Sequence, residues 1–105
     1  MTGNQPWSET FKIAADDWVD KEAAAQMLED TKSSVMAERQ SYLGDIPVNK
    51  AEQTVKASKG WKEYIEQTVM ARRDANKAKM ELEYIRMKFT EWNNSEANHR
   101  AEARL

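Results

Sequence analysis

Few side chains in this sequence are of the types that carry out catalysis. The chain has no Cys and therefore no thiol nucleophile, and its one histidine, His99, cannot form a multi-His metal site. Neighbouring carboxylates such as Asp16 and Asp17, or Glu81 and Glu83, do general acid–base work only where a pocket lies between elements. Because 18 acidic residues produce such pairs by chance, we expect no catalytic residue, no metal site and no cofactor.

A second chemistry, phosphate binding, is indicated by basic residues in the C-terminal half. Arg72, Lys79 and Arg86 are seven residues apart and share a helix edge, and Arg73 and Lys77 lie nearby. Such a stripe can follow the phosphates of a nucleic acid or meet an acidic partner. However, acidic residues three and four positions away can pair with these side chains. The net charge of −2 is also unlike that of most nucleic-acid-binding domains.

Acidic residues dominate the N-terminal part of the chain. Residues 9–30 hold seven acidic and two basic side chains. This excess can contact a basic groove on a nucleic-acid-handling protein, as inhibitors that imitate DNA do. The alternative is a solvated helix face, which is what most charged faces are. The candidate contacts for a basic partner are Asp16, Asp17, Asp20, Glu29 and Asp30.

Length and composition favour an elongated helical protein. The 105 residues suffice for one domain, and 3 Gly and 2 Pro leave few turns for a many-stranded sheet. The glycines Gly3, Gly44 and Gly60 stand too far apart to build a phosphate-binding loop. The hydrophobic fraction of 40% predicts a thin core. With no apolar run of about 18 residues and no signal-like start, we expect a cytoplasmic protein that has no membrane contact.

Two long helices account for most of the chain. We predict an N-terminal arm over residues 1–15 and one helical domain over residues 16–105. Within that domain, a first helix over about 16–43 is followed by a turn at 44–48 and a second helix over about 49–93. Gly44 and Pro47 end the first helix, and Asn49 caps the second. Gly60 marks a kink or break in the second helix, and residues 94–105 form a polar tail.

The second helix carries a regular apolar seam. Positions alternately three and four apart are apolar, with one Thr, over four heptads, and this spacing is typical of helix packing. The seam consists of Trp61, Tyr64, Thr68, Ala71, Ala75, Ala78, Leu82, Ile85, Phe89 and Trp92. Because its middle positions are all alanine, another helix must approach closely there.

A turn centred on residues 46 and 47 makes the two helices antiparallel neighbours. This register places Trp18 opposite Ala75, and it brings acidic residues of the first helix towards basic residues of the second. The other facing pairs are Leu28 with Ile65 and Tyr42 with Ala51, and the charged residues brought together are Asp16, Asp17, Asp20, Lys77, Arg73 and Arg72. Packing and charge therefore predict the same fold, an all-α protein built on a long antiparallel helical hairpin of coiled-coil type.

The end of the seam extends beyond the first helix and needs a cover. Burying one Leu, Ile, Phe or Trp side chain stabilises a protein by about 1.5–3 kcal/mol. Either the arm folds back, with Phe11 near Leu82 and Trp7 near Ile85 or Arg86, or a second chain covers the seam. We favour the second chain, as a homodimer or as another protein. The candidate interface residues are Leu82, Ile85, Phe89, Trp92, Trp7 and Phe11.

The last third of the chain, residues 71–105, joins an Ala-rich amphipathic helix to a characteristic segment and a tail of Arg, Ala and Glu. The segment is marked by Leu82, Glu83, Arg86, Phe89 and Trp92. This arrangement resembles small helical proteins encoded by bacteriophages and prophages. The resemblance implies an accessory factor in the host cell cytoplasm, such as a recombination helper or an inhibitor of host defence proteins, CRISPR effectors among them. It assigns no role to individual residues.

These observations predict a non-enzymatic protein that acts by binding another macromolecule. Inhibition of a host defence or nucleic-acid-handling protein is one form of that activity. One alternative is a nucleic-acid-binding accessory factor for recombination or replication that uses the basic stripe. The other alternative is a purely structural helical dimerisation module.

Overall fold

The computed structural model describes residues 6–104, and these form a long antiparallel hairpin of four α-helices. Helix α1 (Trp7–Asp30) and α2 (Lys32–Ser41) run in one direction, and α3 (Val48–Ala57) and α4 (Lys59–Ala103) return alongside them. The hairpin measures 83 × 19 × 18 Å. Residues 6–104 contain no strand. The predicted all-α helical hairpin is therefore confirmed.

Helix α1 begins at Trp7 and not near Asp16, so the expectation of an irregular arm over 1–15 is wrong from Trp7 onward. Residues 1–5 of that arm lie outside the described residues. Pro6 precedes the first turn with extended backbone, and its carbonyl accepts hydrogen bonds from the N–H groups of Glu9 and Thr10, both at 3.1 Å. A proline is compatible with this position because the first N–H groups of a helix have no partner within it.

The first predicted helix, over about 16–43, forms as α1 and α2, which meet at Thr31. Thr31 keeps helical backbone angles, and its N–H donates to the Met27 carbonyl at 3.0 Å while its carbonyl accepts from the Val35 N–H at 2.9 Å. The hydroxyl of Tyr64, which lies on α4, donates a hydrogen bond to the carbonyl of Leu28. The Thr31 hydroxyl lies 3.1 Å from the same Tyr64 oxygen and donates to the carbonyl of Met27 at 2.8 Å. A tertiary contact therefore accompanies a local distortion of one nearly continuous helix.

The second half of the hairpin divides at Ser58, two residues before the glycine expected to mark the kink. Ser58 has extended backbone, and its hydroxyl accepts a hydrogen bond from the N–H of Trp61 at 3.2 Å, which caps α4. Gly60 lies within the first turn of α4, where an added Cβ would be 3.1 Å from Nη1 of Arg39. Its lack of a side chain therefore makes room for Arg39.

The connection between the two halves turns at Gly44, whose φ of +78° favours glycine. Helix α3 starts at Val48, directly after Pro47, so Asn49 is inside the helix and does not cap it. At the other end, α4 continues through the polar segment to Ala103. Residues 94–103 are thus part of the long helix, and Leu105 lies outside the described residues.

The core is thickest where α1, α2 and α3 meet the start of α4. Val55, Trp61 and Tyr64 are buried together, and the Trp61 and Tyr64 rings stack with centroids 5.5 Å apart. Further along, Ala25 and Ala75 are fully buried, so α1 and α4 approach closely at the small residues. The expectation that Tyr42 faces Ala51 is wrong, because Tyr42 is 77% exposed beyond the end of α2.

Candidate functional site

Aromatic side chains collect where the start of α1 meets the distal half of α4. The rings of Trp7 and Phe89 meet edge to face, with centroids 6.1 Å apart, and Phe89 in turn lies 6.2 Å from Trp92. Helix α1 supplies Trp7 and Phe11 one turn apart, and the three-four spacing of α4 places Ile85, Phe89 and Trp92 on the side facing them. We call these five residues the aromatic end.

Arg86 borders the aromatic end with a positive charge. Its guanidinium carbon lies 5.4 Å from the centre of the Phe11 ring, within the range of a cation–π interaction. Arg86 remains exposed. This contact holds the guanidinium beside the aromatic rings while leaving it accessible to a carboxylate or carbonyl of a partner.

A groove of about 390 Å³ runs between the two helices at this end. Its lining is Trp7, Ser8, Phe11, Ile85, Arg86 and Phe89. Phe89 is 42% exposed and Trp92 is 48% exposed, although both have ring contacts within the chain. An apolar groove bordered by exposed aromatic rings and an arginine has the composition of a protein-recognition surface.

The six residues predicted to form an interface do not all reach this surface. Leu82 is only 5% exposed and lies within the hairpin, so it offers no area to a partner. The start of α1 folds back over part of the seam, as the alternative to a second chain predicts. Trp7 lines one groove with the predicted Ile85 and Arg86 and also meets the Phe89 ring. The Phe11 ring contacts Arg86 in the same groove.

Two carboxylates of α1 bind Arg72 and thereby interrupt the basic stripe on α4. Arg72 donates to Glu29 from Nε at 2.9 Å and from Nη2 at 2.6 Å, and to Glu22 from Nη1 at 2.7 Å. The hydrogen bonds to Glu29 and Glu22 raise the pKa of Arg72 above its ordinary value, and the bond from Arg72 lowers the pKa of Glu29. Arg72 therefore stabilises the hairpin and is not available to a phosphate.

The predicted ion pairs between the first acidic residues and the basic stripe are wrong. Asp16 and Asp17 pair on their own helix, with Lys12 at 3.1 Å and Lys21 at 3.0 Å. Among the described residues, Asp20 has no ion-pair partner. The acids that reach α4 are Glu22 and Glu29, because α1 and α4 pair in a slightly different register from the predicted one. Asp30 accepts a hydrogen bond from Gln26 at 2.9 Å.

The other basic residues of the stripe lie in different surroundings. Arg73 lies 3.6 Å from Asp74, and Arg86 lies over the Phe11 ring. Lys77 and Lys79 are exposed, and no residue within 6–104 forms an ion pair with either of them. The structure thus leaves a short basic segment and no continuous stripe.

The outward face of α4 holds exposed apolar residues, and two of them, Met80 and Met87, stand seven positions apart in the sequence on the outer face of the heptad. Val69, Met80, Tyr84 and Met87 are all exposed, and the first three line a shallow surface with Arg73 and Lys77. Their spacing follows a second three-four pattern opposite the seam. A second apolar stripe on the same helix, opposite the seam, is the sequence pattern that indicates this surface.

The described residues offer few other features that indicate a function. Residues 6–104 contain no group of three His, Asp or Glu side chains arranged to hold a metal ion. None of the helices in this range is both long and apolar enough to cross a membrane. His99 is exposed on the distal part of α4.

Comparison with known proteins gives no relative from which a function can be carried over. The chain matches no protein-family model, no curated protein and no solved structure. Function therefore has to be argued from the surface itself.

Proposed function

We propose that this protein acts by binding another protein through the aromatic end, without a catalytic step. The observation that carries the proposal is the exposure of Phe89, at 42%, in the lining of an apolar groove. Large aromatic side chains gain the most from burial, and Trp and Arg are enriched among the residues that dominate binding energy. The aromatic end and the bordering Arg86 offer both types around one groove.

The groove defines the chemistry of the segment that binds. An apolar side chain of the partner enters between Trp7, Phe11 and Phe89, and an acidic group beside it meets Arg86. The resemblance to phage-encoded helical proteins supports a host protein as the partner, with inhibition of a defence or nucleic-acid-handling protein as the outcome. A small rigid hairpin suits this role because its binding surface needs little ordering on contact.

Direct nucleic-acid binding is the less favoured activity. Arg72 is engaged by Glu22 and Glu29. Four basic residues of the stripe, Arg73, Lys77, Lys79 and Arg86, are left to contact phosphates, and a stable complex usually needs more such contacts. We expect no mobility shift of DNA or RNA even at low salt. A shift that disappears when Lys77 and Lys79 are changed to Gln would instead support the nucleic-acid alternative.

Affinity capture from host lysate with matched variants tests the proposal. Phe89→Ser removes an aromatic ring from the groove, whereas Tyr42→Ser removes an exposed ring from the opposite end of the hairpin. We expect the wild type and Tyr42→Ser to capture the same specific protein and Phe89→Ser to lose it, with equal helical content by circular dichroism. Equal capture by all three would reject the aromatic end as the binding surface.

A second measurement tests Arg86 once the captured protein is purified. Arg86→Gln keeps a long polar side chain but removes the charge. We expect about tenfold weaker binding, as for loss of one charged hydrogen bond at an interface, with Lys79→Gln as a control that stays unchanged.

A further inference from the structure

Helix α4 extends well past the point where α1 begins. Trp7, at the start of α1, contacts Phe89, and every described residue from Arg86 to Arg104 is exposed. This distal segment continues the 45-residue helix α4, and its exposed side chains leave its surface accessible to a second helix.

The seam on α4 continues into this distal segment with polar residues. Extending the three-four spacing beyond Trp92 places Glu96, His99 and Ala103 on the same face of the helix. Arg100 lies next to that face. Glu96 and Arg100 are four positions apart, yet within the part of the chain that the structure describes neither forms an ion pair. Opposite charges on this face are thus available to another chain.

We propose that residues 92–103 of α4 pair in antiparallel fashion with the same segment of a second copy, around a two-fold axis between Ala97 and Asn98. In this register Trp92 lies over Ala103 of the second copy, a large side chain against a small one. Glu96 lies opposite His99 of the second copy, with Arg100 of that copy beside it. The two-fold axis repeats each contact, as in an isologous dimer.

Charge selects the antiparallel arrangement over the parallel one. A parallel pair would place Glu96 against Glu96 of the second copy and Trp92 against Trp92. The antiparallel pair replaces this repulsion between carboxylates with attraction to a basic side chain. Complementary charges across a helix pair determine its orientation and register in this way.

Helix α1 contacts the seam as far as Phe89, and the proposed pairing begins one turn further along α4, at Trp92.

This self-association goes beyond the proposed binding of another protein. It covers Trp92 of each aromatic end and leaves the groove lined by Trp7, Phe11 and Phe89 open, so one dimer presents two grooves to a partner. The paired segments are short, and we therefore expect a weak dimer that depends on concentration.

Sedimentation equilibrium combined with charge reversal tests the pairing. The weight-average mass of the wild type should rise with concentration from 12.1 kDa towards twice that value. Glu96→Arg and Arg100→Glu should each weaken self-association about tenfold, since each reverses contacts on both sides of the axis. Glu66→Arg, an exposed change at the far end of α4, should leave it unchanged.

Mixing the two charge variants separates pairing between chains from effects within one helix. Each variant alone carries like charges at positions 96 and 100, whereas a mixed pair sets two basic side chains on one chain opposite two acidic side chains on the other. We expect the equimolar mixture to recover association close to that of the wild type. A wild type that stays monomeric up to about 1 mM, the upper end of measurable weak association, overturns the proposal. A mixture that associates no better than its components also overturns it.

The two proposals fail independently. Arg86→Gln should dimerise as the wild type does, because Arg86 lies over the Phe11 ring and outside the paired segment. Glu96→Arg, when monomeric, should still capture the partner protein through its groove. A wild type that captures a partner but stays monomeric rejects only the pairing, and a wild type that dimerises but captures no partner rejects only the binding site.

Discussion

Arg72 and Glu29 form a two-point hydrogen-bonded pair across the hairpin, with Nε and Nη2 of the guanidinium donating to the two carboxylate oxygens at 2.9 and 2.6 Å. A planar guanidinium matches a carboxylate in this two-point geometry, which gives the contact geometric specificity. Glu22, seven residues before Glu29 on α1, accepts a hydrogen bond from Nη1 of Arg72 at 2.7 Å. The cluster therefore links one side chain of α4 to two positions on α1.

Replacing Arg72 with Gln should lower the melting temperature more than replacing its neighbour Arg73. Arg72→Gln leaves Glu22 and Glu29 facing each other without a positive charge, whereas Arg73 lies near Asp74 alone. Thermal unfolding followed by circular dichroism compares Arg72→Gln with the control Arg73→Gln. Equal melting temperatures for the two variants would show that the Arg72 cluster contributes nothing to stability.

The Glu29 carboxyl should make stability depend on pH in the acid range. Arg72 lowers the pKa of Glu29 in the folded chain below its ordinary value of 4.5. A carboxyl with a lowered folded pKa adds stability above pH 4.5, and this addition disappears as the pH falls through the lowered value. Urea unfolding midpoints of the wild type and Glu29→Gln should therefore differ at neutral pH and converge in acid. A difference that is constant with pH would contradict this assignment.

Removing the hydroxyl of Tyr64 should destabilise the fold by about 1 kcal/mol, the net value of one hydrogen bond. Tyr64→Phe deletes the donor to the Leu28 carbonyl and the contact with Thr31. The control is Tyr84→Phe, because Tyr84 is exposed on the outward face of α4. Urea unfolding measures both, and a Tyr64→Phe variant as stable as the Tyr84→Phe variant would contradict the role given to this contact.

The two described glycines should respond to alanine in opposite directions. Gly44→Ala places a side chain at φ +78° and should destabilise the fold by about 1–2 kcal/mol. At Gly60 the added Cβ meets only the flexible end of Arg39, while helix propensity improves by up to about 1 kcal/mol. We therefore expect Gly60→Ala to be neutral or stabilising in urea unfolding. A loss of stability there would mean that Arg39 cannot move aside.

The hairpin is predictable from the sequence because a single three-four pattern runs from Trp61 to Trp92 and needs one antiparallel partner helix. The distortion at Thr31 is not predictable, since it lies beside a hydroxyl that reaches across from Tyr64 in another helix. The start of α1 at Trp7 is also not predictable from the sequence, because Pro6 is compatible both with an irregular arm and with the first turn of a helix.

Part of the candidate site follows from residue types alone. Trp7, Phe11 and Phe89 are recognisable as apolar residues that need cover, and the fold-back alternative brings Trp7 to the right part of α4, beside Ile85 and Arg86. The occupation of Arg72 by Glu22 and Glu29, and hence the loss of the basic stripe, depends on the register of α1 along α4, which the irregular turn around Gly44 and the break at Ser58 displace from the predicted one.

The length of the hairpin affects how its mass must be measured. A particle of 83 × 19 × 18 Å experiences much more hydrodynamic friction than a sphere of equal mass. It will leave a gel-filtration column early, like a larger compact protein, even as a single chain. Elution volume alone would therefore mimic a dimer, and only methods that weigh the particle irrespective of shape can distinguish one chain from two.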